Sequence, residues 1–168
     1  MKRLALVLSL IFIPALCWGM PICPDKSDLL EVVCVKVVDG DTAWFEDLDE
    51  YIVHKLRFIG IDTPETRHPT QGVQHFGPEA SAFTADQLDG KTVWLEYDVE
   101  WYDRYARHLC YVWMEDGSLF NLTLIRQGYA VLMTYPPNIK YVDYFAAAQE
   151  SAREESLGLW AETQAIYQ

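Results

Sequence analysis

The stretch RFIGIDTPE, residues 57–65, decides how this chain is interpreted, together with the turn DGDT at residues 39–42. Each stretch lies at the end of a predicted strand and carries carboxylates, and the first also carries an arginine. Carboxylate oxygens are hard ligands that suit Ca²⁺ or Mg²⁺, and a guanidinium fits a phosphate in bidentate fashion. A cation and a guanidinium in one polar cleft indicate chemistry on a phosphoester.

The segments around these stretches predict a small barrel. Five segments have the composition or alternation of strands: residues 30–38, 42–45, 51–61, 91–97 and 108–114. Three segments have helical periodicity or helix start and stop signals: residues 77–90, 119–127 and 141–157. Asp39-Gly40 is a hairpin signal, and residues 98–107 are expected to form a polar loop. This order predicts an α+β, mainly β fold, a five-stranded OB-type Greek-key barrel with three helices.

The beginning of the chain has the pattern of a secretory signal peptide. A basic start is followed by a short apolar run and small residues, which predicts a signal peptide over residues 1–19. An N-terminal arm (20–30), the barrel domain (31–160) and a C-terminal tail (161–168) would follow. A lipid anchor on Cys17 is the alternative, which Leu16 disfavours. We therefore expect a secreted or periplasmic protein without stable membrane association.

Three cysteines remain once the leader is removed. Cys23 and Cys34 could form a disulfide in an oxidising compartment. Cys110 lies in a predicted strand, where a small buried hydrophobic residue is the simpler interpretation. The odd number leaves at least one free thiol or an intermolecular bond.

The charge of the chain limits its partners. The formal net charge is -12, which argues against tight non-specific binding to duplex nucleic acid. A locally positive site built from Arg57, Arg104, Arg107 and a metal ion remains compatible with that charge.

Six short motifs, in this order along the chain, resemble the staphylococcal (micrococcal) nuclease family. They are VDGDT (38–42), Arg57 with IDTPET (61–66), GPEASAF (77–83), DRYAR (103–107), LIRQG (124–128) and LGLW (157–160). The resemblance runs from about residue 33 to residue 160, and several separate motifs in the right order make it specific.

The resemblance implies a metal site and a residue that handles the nucleophile. Asp41 and Asp62 would bind Ca²⁺ through their carboxylates, and Thr63 would bind it through its backbone carbonyl. Glu65 would act through a water molecule, which it would orient or deprotonate. A single Ca²⁺ fits two or three carboxylates better than a bridged metal pair does.

The resemblance also implies a phosphate and nucleotide site. Arg57 and Arg107 would hold the scissile phosphate, Tyr105 and Tyr135 would flank the nucleotide pocket, and Arg104 would assist substrate binding. The implied activity is hydrolysis of DNA and RNA at the 5′ P–O bond, which leaves 3′-phosphate ends. Single-stranded or denatured substrates and a monomeric enzyme are expected.

The chain departs from the family pattern near the proposed pocket. The segment PTQG (69–72) replaces lysines, Met133 replaces a pocket tyrosine, and Ala106 replaces a glycine. Trp101 and Tyr102 could stack on bases or serve as structural cover. These changes bear on affinity and nucleotide preference, whereas the candidate metal ligands and the two arginines are retained.

Two other functions remain open from the sequence. The first is a non-catalytic binding module for nucleic acid or protein on the same OB-fold, which would be expected to lose the polar residues that this chain retains. The second is a hydrolase of small phosphodiesters, which the negative net charge makes more credible.

Overall fold

A closed barrel of five strands forms the body of the protein. The computed structural model describes residues 19–66 and 72–161, so the predicted leader, apart from Gly19, and the predicted tail, apart from Ala161, lie outside the described residues. The strands are β1 (Leu30–Asp39), β2 (Thr42–Asp47), β3 (Val53–Phe58), β4 (Ile61–Asp62), β5 (Thr92–Tyr102), β6 (His108–Trp113) and β7 (Val131–Leu132). The α-helices are α1 (Gly77–Leu88), α2 (Phe120–Arg126) and α3 (Val142–Glu154).

The strand order confirms the predicted fold. Strands β1, β2, β3, β6 and β5 close into the barrel in that order, and β5 pairs again with β1. Only the β3–β6 pair of this barrel is parallel. The result is an α+β, mainly β barrel of the OB type with three α-helices. No helix within the described part of the chain combines the length and apolarity that crossing a membrane requires.

Two details differ from the sequence prediction. The loop expected from residue 98 begins later, because β5 continues to Tyr102 through a register shift after Tyr97. Val99, Trp101 and Tyr102 favour extended backbone although polar residues alternate with them. The second difference is that the strand predicted over residues 51–61 is divided by a turn at residues 59–60 into β3 and β4. β4 pairs with β7 in a separate small sheet, and these two-residue strands are too short to show a sequence period.

The interior is filled by large apolar side chains from both the barrel and the helices. Tyr111 and Trp113 of β6 are both almost completely buried. Cys34 and Cys110 are also buried, and the three described cysteines are free thiols. The Cys23–Cys34 disulfide considered from the sequence is therefore absent from the structure.

Asn121 of α2 holds the corner between β3 and β4. Its side chain is completely buried, and Nδ2 donates to the carbonyl of Ile59 at 2.9 Å. Its Oδ1 accepts from the backbone N–H of Val112 at 2.9 Å. Since Ile59 lies between Arg57 and Asp62, this side chain fixes the path of the segment that carries both residues.

A pair of histidines lies beside strands β3 and β6. The rings of His54 and His108 are in contact, with centroids 4.4 Å apart. His108 Nδ1 is 2.9 Å from the hydroxyl of Tyr97, and the Tyr102 ring packs edge-on against it. Burial, with the charge of His54 as a smaller cause, lowers the pKa of His108 below its ordinary value. The folded protein therefore favours the neutral imidazole of His108.

The Asn121→Leu substitution should strongly destabilise the fold. It leaves the Ile59 carbonyl and the Val112 N–H buried without partners, which should lower the free energy of unfolding by about 2–4 kcal/mol. Urea titration measures the change. The half-buried Thr123 of the same helix is the control, and Thr123→Val should cost less; equal costs would show that Asn121 has no special role.

The folded state should lose stability in acid through His108. Its unfolded pKa is about 6.5, so the stabilisation is complete above that pH and is lost as the pH falls through the lower folded pKa. The drop in the free energy of unfolding from about pH 8 to about pH 5.5 should be smaller for His108→Gln than for wild type. The same drop in both proteins would contradict this expectation.

Candidate active site

Arg57 is the centre of the candidate site. It lies on β3 opposite Thr42 of β2, and its guanidinium is mostly buried. Nη1 contacts Asp41 Oδ2 at 2.9 Å, and Nη2 contacts Asp62 Oδ1 at 2.7 Å. Nη1 also donates to the carbonyl of Ile61 at 2.9 Å. One guanidinium therefore connects the hairpin turn, β3 and β4.

The hairpin turn between β1 and β2 is packed directly against the segment after β4. Asp41 Oδ2 accepts from the backbone N–H of Thr63 at 3.0 Å, and Asp41 Oδ1 accepts from the hydroxyl of Thr42 at 2.9 Å. A Cβ atom at Gly40 would lie 2.7 Å from Thr63 Oγ1, so only glycine permits this approach. From α1, the hydroxyl of Thr84 donates to the Gly40 carbonyl at 2.7 Å and fixes the turn.

Asp39 is a site residue that the sequence prediction missed. Its Oδ1 accepts from the N–H of Gly40 at 3.1 Å, and its Oδ2 accepts from the N–H of Thr66 at 3.2 Å. The second bond ties the chain just after Glu65 to the hairpin. The DGD tripeptide, with two carboxylates on one tight turn, was the signal that could have found it.

The carboxylates of the site act on one another electrostatically. Burial raises the pKa of Asp39, and Asp41 adds to the rise. Burial likewise raises the pKa of Asp62 against the opposing effect of Arg57. The pKa of Glu65 is raised by burial and then by Asp39, Asp41 and Asp62. Four carboxylates thus share one region in which Arg57 is the cation that opposes them.

The donor set fits a hard cation. Carboxylate oxygens of Asp41 and Asp62 and oxygens of Thr63 are the ligand types that Ca²⁺ prefers. Thr63 Oγ1 is buried and has no hydrogen-bond partner within the described residues. Among residues 19–66 and 72–161, no three His, Cys, Asp or Glu side chains form a ready metal cage, because Arg57 lies between the two aspartates.

Arg107 is positioned by a turn that Asp103 organises. Asp103 Oδ2 accepts from Arg107 Nε at 2.6 Å, and Asp103 Oδ1 accepts from the backbone N–H groups of Tyr105 and Arg107. Burial would raise the pKa of Asp103, but these hydrogen bonds outweigh it and lower the pKa below its ordinary value. Ala106 takes a φ of 57°, a left-handed conformation that favours glycine, so the turn is formed at some cost in strain.

A pocket of about 260 Å³ joins this turn to Arg57. Arg57, Arg104 and Arg107 line it, and so do the exposed side chains of Tyr105 and Tyr135. The guanidinium carbons of Arg104 and Arg107 lie 4.8 Å and 5.6 Å from the centroid of the Tyr105 ring. The result is an arginine-lined pocket with aromatic walls, in which a phosphate and a base can be held together.

The remaining wall of the pocket was not predicted. Asn138, which is nearly buried, accepts from the N–H of Glu100 and donates to its carbonyl, each at 2.8 Å. This pair of bonds fixes the segment that carries Tyr135 to the end of β5. Tyr102 borders the pocket, whereas Trp101 packs against Tyr97 with ring centroids 4.9 Å apart. A single asparagine in a loop carries no sequence signal for such a clamp.

The residues predicted from the sequence fall into two adjoining groups. Arg57 belongs to both groups. The first group contains Asp41, Asp62, Thr63 and, through its electrostatic coupling, Glu65; the second contains Arg104, Tyr105, Arg107 and Tyr135. Their individual roles remain predictions.

Comparison with known proteins identifies the relatives of this chain. A family model described as "Staphylococcal nuclease homologue" matches residues 55–162. The thermonuclease of Staphylococcus intermedius is 42% identical over 127 residues, covering 74% of this chain and 73% of that protein. The thermonuclease of Staphylococcus hyicus is 40% identical over 127 residues, covering 76% and 73%. Endonuclease YncB of Bacillus subtilis is 31% identical over 147 residues, covering 86% and 68%.

These matches extend over most of the chain, and the family model covers the segments that carry Arg57, Asp62 and Arg107. They confirm the family resemblance and the prediction of a phosphodiesterase that acts as a nuclease. The chain belongs to the staphylococcal nuclease family.

Proposed function

We propose that this nuclease is an exported, Ca²⁺-dependent enzyme that hydrolyses DNA and RNA at the 5′ P–O bond and leaves 3′-phosphate ends. The observation that carries the proposal is that Arg57 belongs to both groups of the candidate site. Its guanidinium contacts the carboxylates of Asp41 and Asp62, and the same residue lines the pocket that contains Arg107. The acidic group and the phosphate-binding arginines therefore adjoin at one residue.

Two guanidiniums would stabilise the charge that develops on the phosphate. Attack on phosphorus increases the negative charge on its non-bridging oxygens, and donors aimed at them stabilise the transition state more than the ground state. Arginine suits this role because it remains protonated. Arg107 uses Nε to contact Asp103, and its two Nη atoms have no hydrogen-bond partner among the described residues. They are available to a phosphate.

Glu65 would orient the attacking water and accept its proton. The side chain is exposed and lies close enough to Asp39, Asp41 and Asp62 for them to raise its pKa. A raised pKa makes a carboxylate a better proton acceptor near neutral pH. The proton would pass from water to the Glu65 carboxylate as the water oxygen attacks phosphorus. The bond between phosphorus and the 5′ oxygen would break, and that oxygen would take up a proton from solvent to give a 5′-hydroxyl.

A hard cation fits the same acidic group. Asp41 and Asp62 would hold it through carboxylate oxygens and Thr63 through its carbonyl. Bound Ca²⁺ would stabilise negative charge on the phosphate oxygens beyond what the arginines supply. A cation there would also offset the mutual repulsion of the carboxylates, which Arg57 opposes among the described residues.

Single-stranded or denatured nucleic acid suits this pocket better than a duplex does. Tyr105 and Tyr135 are about two-thirds or more exposed, so an unstacked base could lie on either ring. The net charge of -12 disfavours a long, rigid polyanion, whereas a flexible strand needs only local contacts with Arg57, Arg104 and Arg107.

Export and the monomeric state are part of the same proposal. The support for export is the leader-like sequence of residues 1–19, with its basic start and short apolar run. A monomer is proposed because one chain supplies every residue of the candidate site.

Removal of the proposed catalytic groups should abolish most of the activity. Arg107→Ala should reduce kcat by about 10²–10³-fold through the loss of a transition-state donor. Glu65→Gln should reduce it by about 10²–10⁴-fold. Digestion of denatured DNA and of RNA, followed by analysis of the product ends, measures the rate and tests for 3′-phosphates.

The controls for this experiment are a distant charge change and a chelator. Arg126→Ala, on the exposed side of α2, should keep wild-type activity because it lies outside the pocket. A chelator should abolish activity and added Ca²⁺ should restore it. Activity that survives the chelator would reject the proposed cofactor, and activity that survives both substitutions would reject the proposed site.

Binding of single-stranded DNA should depend only weakly on salt. Each phosphate contact contributes about -0.7 to the slope of log affinity against log salt, so three arginines predict a slope of about -2. Arg104→Gln should make the slope shallower by a little less than one unit. Fluorescence anisotropy with a labelled oligonucleotide measures both slopes, and a slope steeper than about -4 would require contacts outside this pocket.

A further inference from the structure

Glu100 is a pocket residue to which the proposed mechanism gives no task. It lies on the last part of β5, its side chain is exposed, and it lines the pocket with Tyr135 and Arg104. The side chain of Asn138 holds both the N–H and the carbonyl of Glu100 at 2.8 Å. The backbone of Glu100 is therefore fixed while its carboxylate remains free to contact a ligand.

The carboxylate of Glu100 differs from the other carboxylate in the pocket wall. Asp103 is engaged by Arg107 Nε and by two backbone N–H groups. Within residues 19–66 and 72–161, the Glu100 carboxylate has neither a hydrogen bond nor an ion pair. It is an acceptor-only group at the edge of a pocket whose arginines are suited to the phosphate.

The hydrogen-bonding edges of the bases respond differently to such an acceptor. Guanine presents two adjacent donors, N1–H and the N2 amino group, which match the two oxygens of a carboxylate. Adenine and cytosine present one amino donor beside a ring nitrogen that is itself an acceptor. Thymine and uracil present a single N–H between two carbonyl oxygens, which a carboxylate repels. Unstacked bases are commonly read at this edge.

We propose that Glu100 selects the base that occupies the pocket, favouring guanine and disfavouring thymine and uracil. The inference rests on the proposed function, because it assigns the pocket between Tyr105 and Tyr135 to the base next to the scissile phosphate. The tyrosine rings accept any base by stacking, so they supply affinity without discrimination. The discrimination comes from the Glu100 carboxylate, which accepts from the donor edge of the base.

The pocket size agrees with a single base and its phosphate. Its volume of about 260 Å³ is slightly below the range of roughly 300–1,000 Å³ that encloses drug-sized ligands. Glu100 and the three arginines line the same pocket, so it contains both an acceptor for the donor edge of a base and donors for the phosphate of the same nucleotide.

The test is the base composition at the cut sites of a random-sequence single-stranded DNA. Wild type, Glu100→Gln and the charge-matched control Glu31→Gln, on the exposed face of β1, digest the same pool to low conversion. Sequencing of the ends counts the base on each side of every cut. Glutamine preserves size but places a donor where a carboxylate oxygen accepts, so the match to guanine is lost.

Wild type should cut next to guanine at least about 5-fold more often than next to thymine at one position, the lower end of what a good bidentate contact supplies. Glu100→Gln should reduce that ratio to within about 2-fold of unity, and Glu31→Gln should retain it. A flat wild-type profile, or a ratio that Glu100→Gln leaves unchanged, overturns the proposal. A uniform rise in the rate of Glu100→Gln at every base also overturns it, because that result identifies Glu100 as a group that only repels phosphate.

Binding measurements separate this inference from the proposed function. Calorimetry with GMP and UMP gives the affinity ratio for wild type and Glu100→Gln without any cleavage. Suppose that the protein is inactive but binds GMP at least about 5-fold more tightly than UMP, and that Glu100→Gln loses this preference. That result supports the inference, whereas the proposed function fails. An active nuclease with equal affinities for the two nucleotides retains the proposed function and rejects the role of Glu100.

Discussion

The contact of one guanidinium with two carboxylates is the constraint on which the site depends. Arg57 contacts Asp41 from the β1–β2 turn and Asp62 at the end of β4, and it also donates to the Ile61 carbonyl. Without a cation between them, the carboxylates of these segments would repel one another at close range. The barrel supplies the geometry, since β3 places Arg57 directly beside the hairpin. Arg57 also lines the pocket, so its structural role and its proposed catalytic role converge on one residue.

An acidic chain can act on a polyanion when its positive charge is concentrated. The formal net charge is -12, yet three arginines converge on one pocket beside two exposed tyrosines. The field over the whole surface discourages non-specific adhesion to nucleic acid, whereas the local field of the pocket favours one phosphate. The segment PTQG at residues 69–72, where the family resemblance implies lysines, is consistent with the proposal that recognition depends on the pocket rather than on a broad basic surface.

Local sequence signals predicted most strands and helices. They were less reliable for very short strands and for a strand whose apolar pattern is interrupted by polar residues. The hairpin at Asp39-Gly40 and the helix that begins at Gly77 follow from turn and capping chemistry, and both are confirmed. The β4–β7 pair was missed because two residues on each strand carry no period. The extension of β5 to Tyr102 was missed because polar residues interrupt the apolar pattern, and pairing with β6 outweighs that interruption.

The sequence by itself determined the barrel class, the family and the identity of the polar residues, because spacing, turn signals and residue chemistry are local properties of a chain. Only the tertiary structure decided how those residues meet. In the folded chain Arg57 lies between the two aspartates, and Asp39 accepts a hydrogen bond from the segment after Glu65. Asn138 hydrogen-bonds to the backbone of Glu100 at the pocket wall. These contacts join residues up to 38 positions apart, and closure of the barrel, rather than any local preference, brings them within hydrogen-bonding distance.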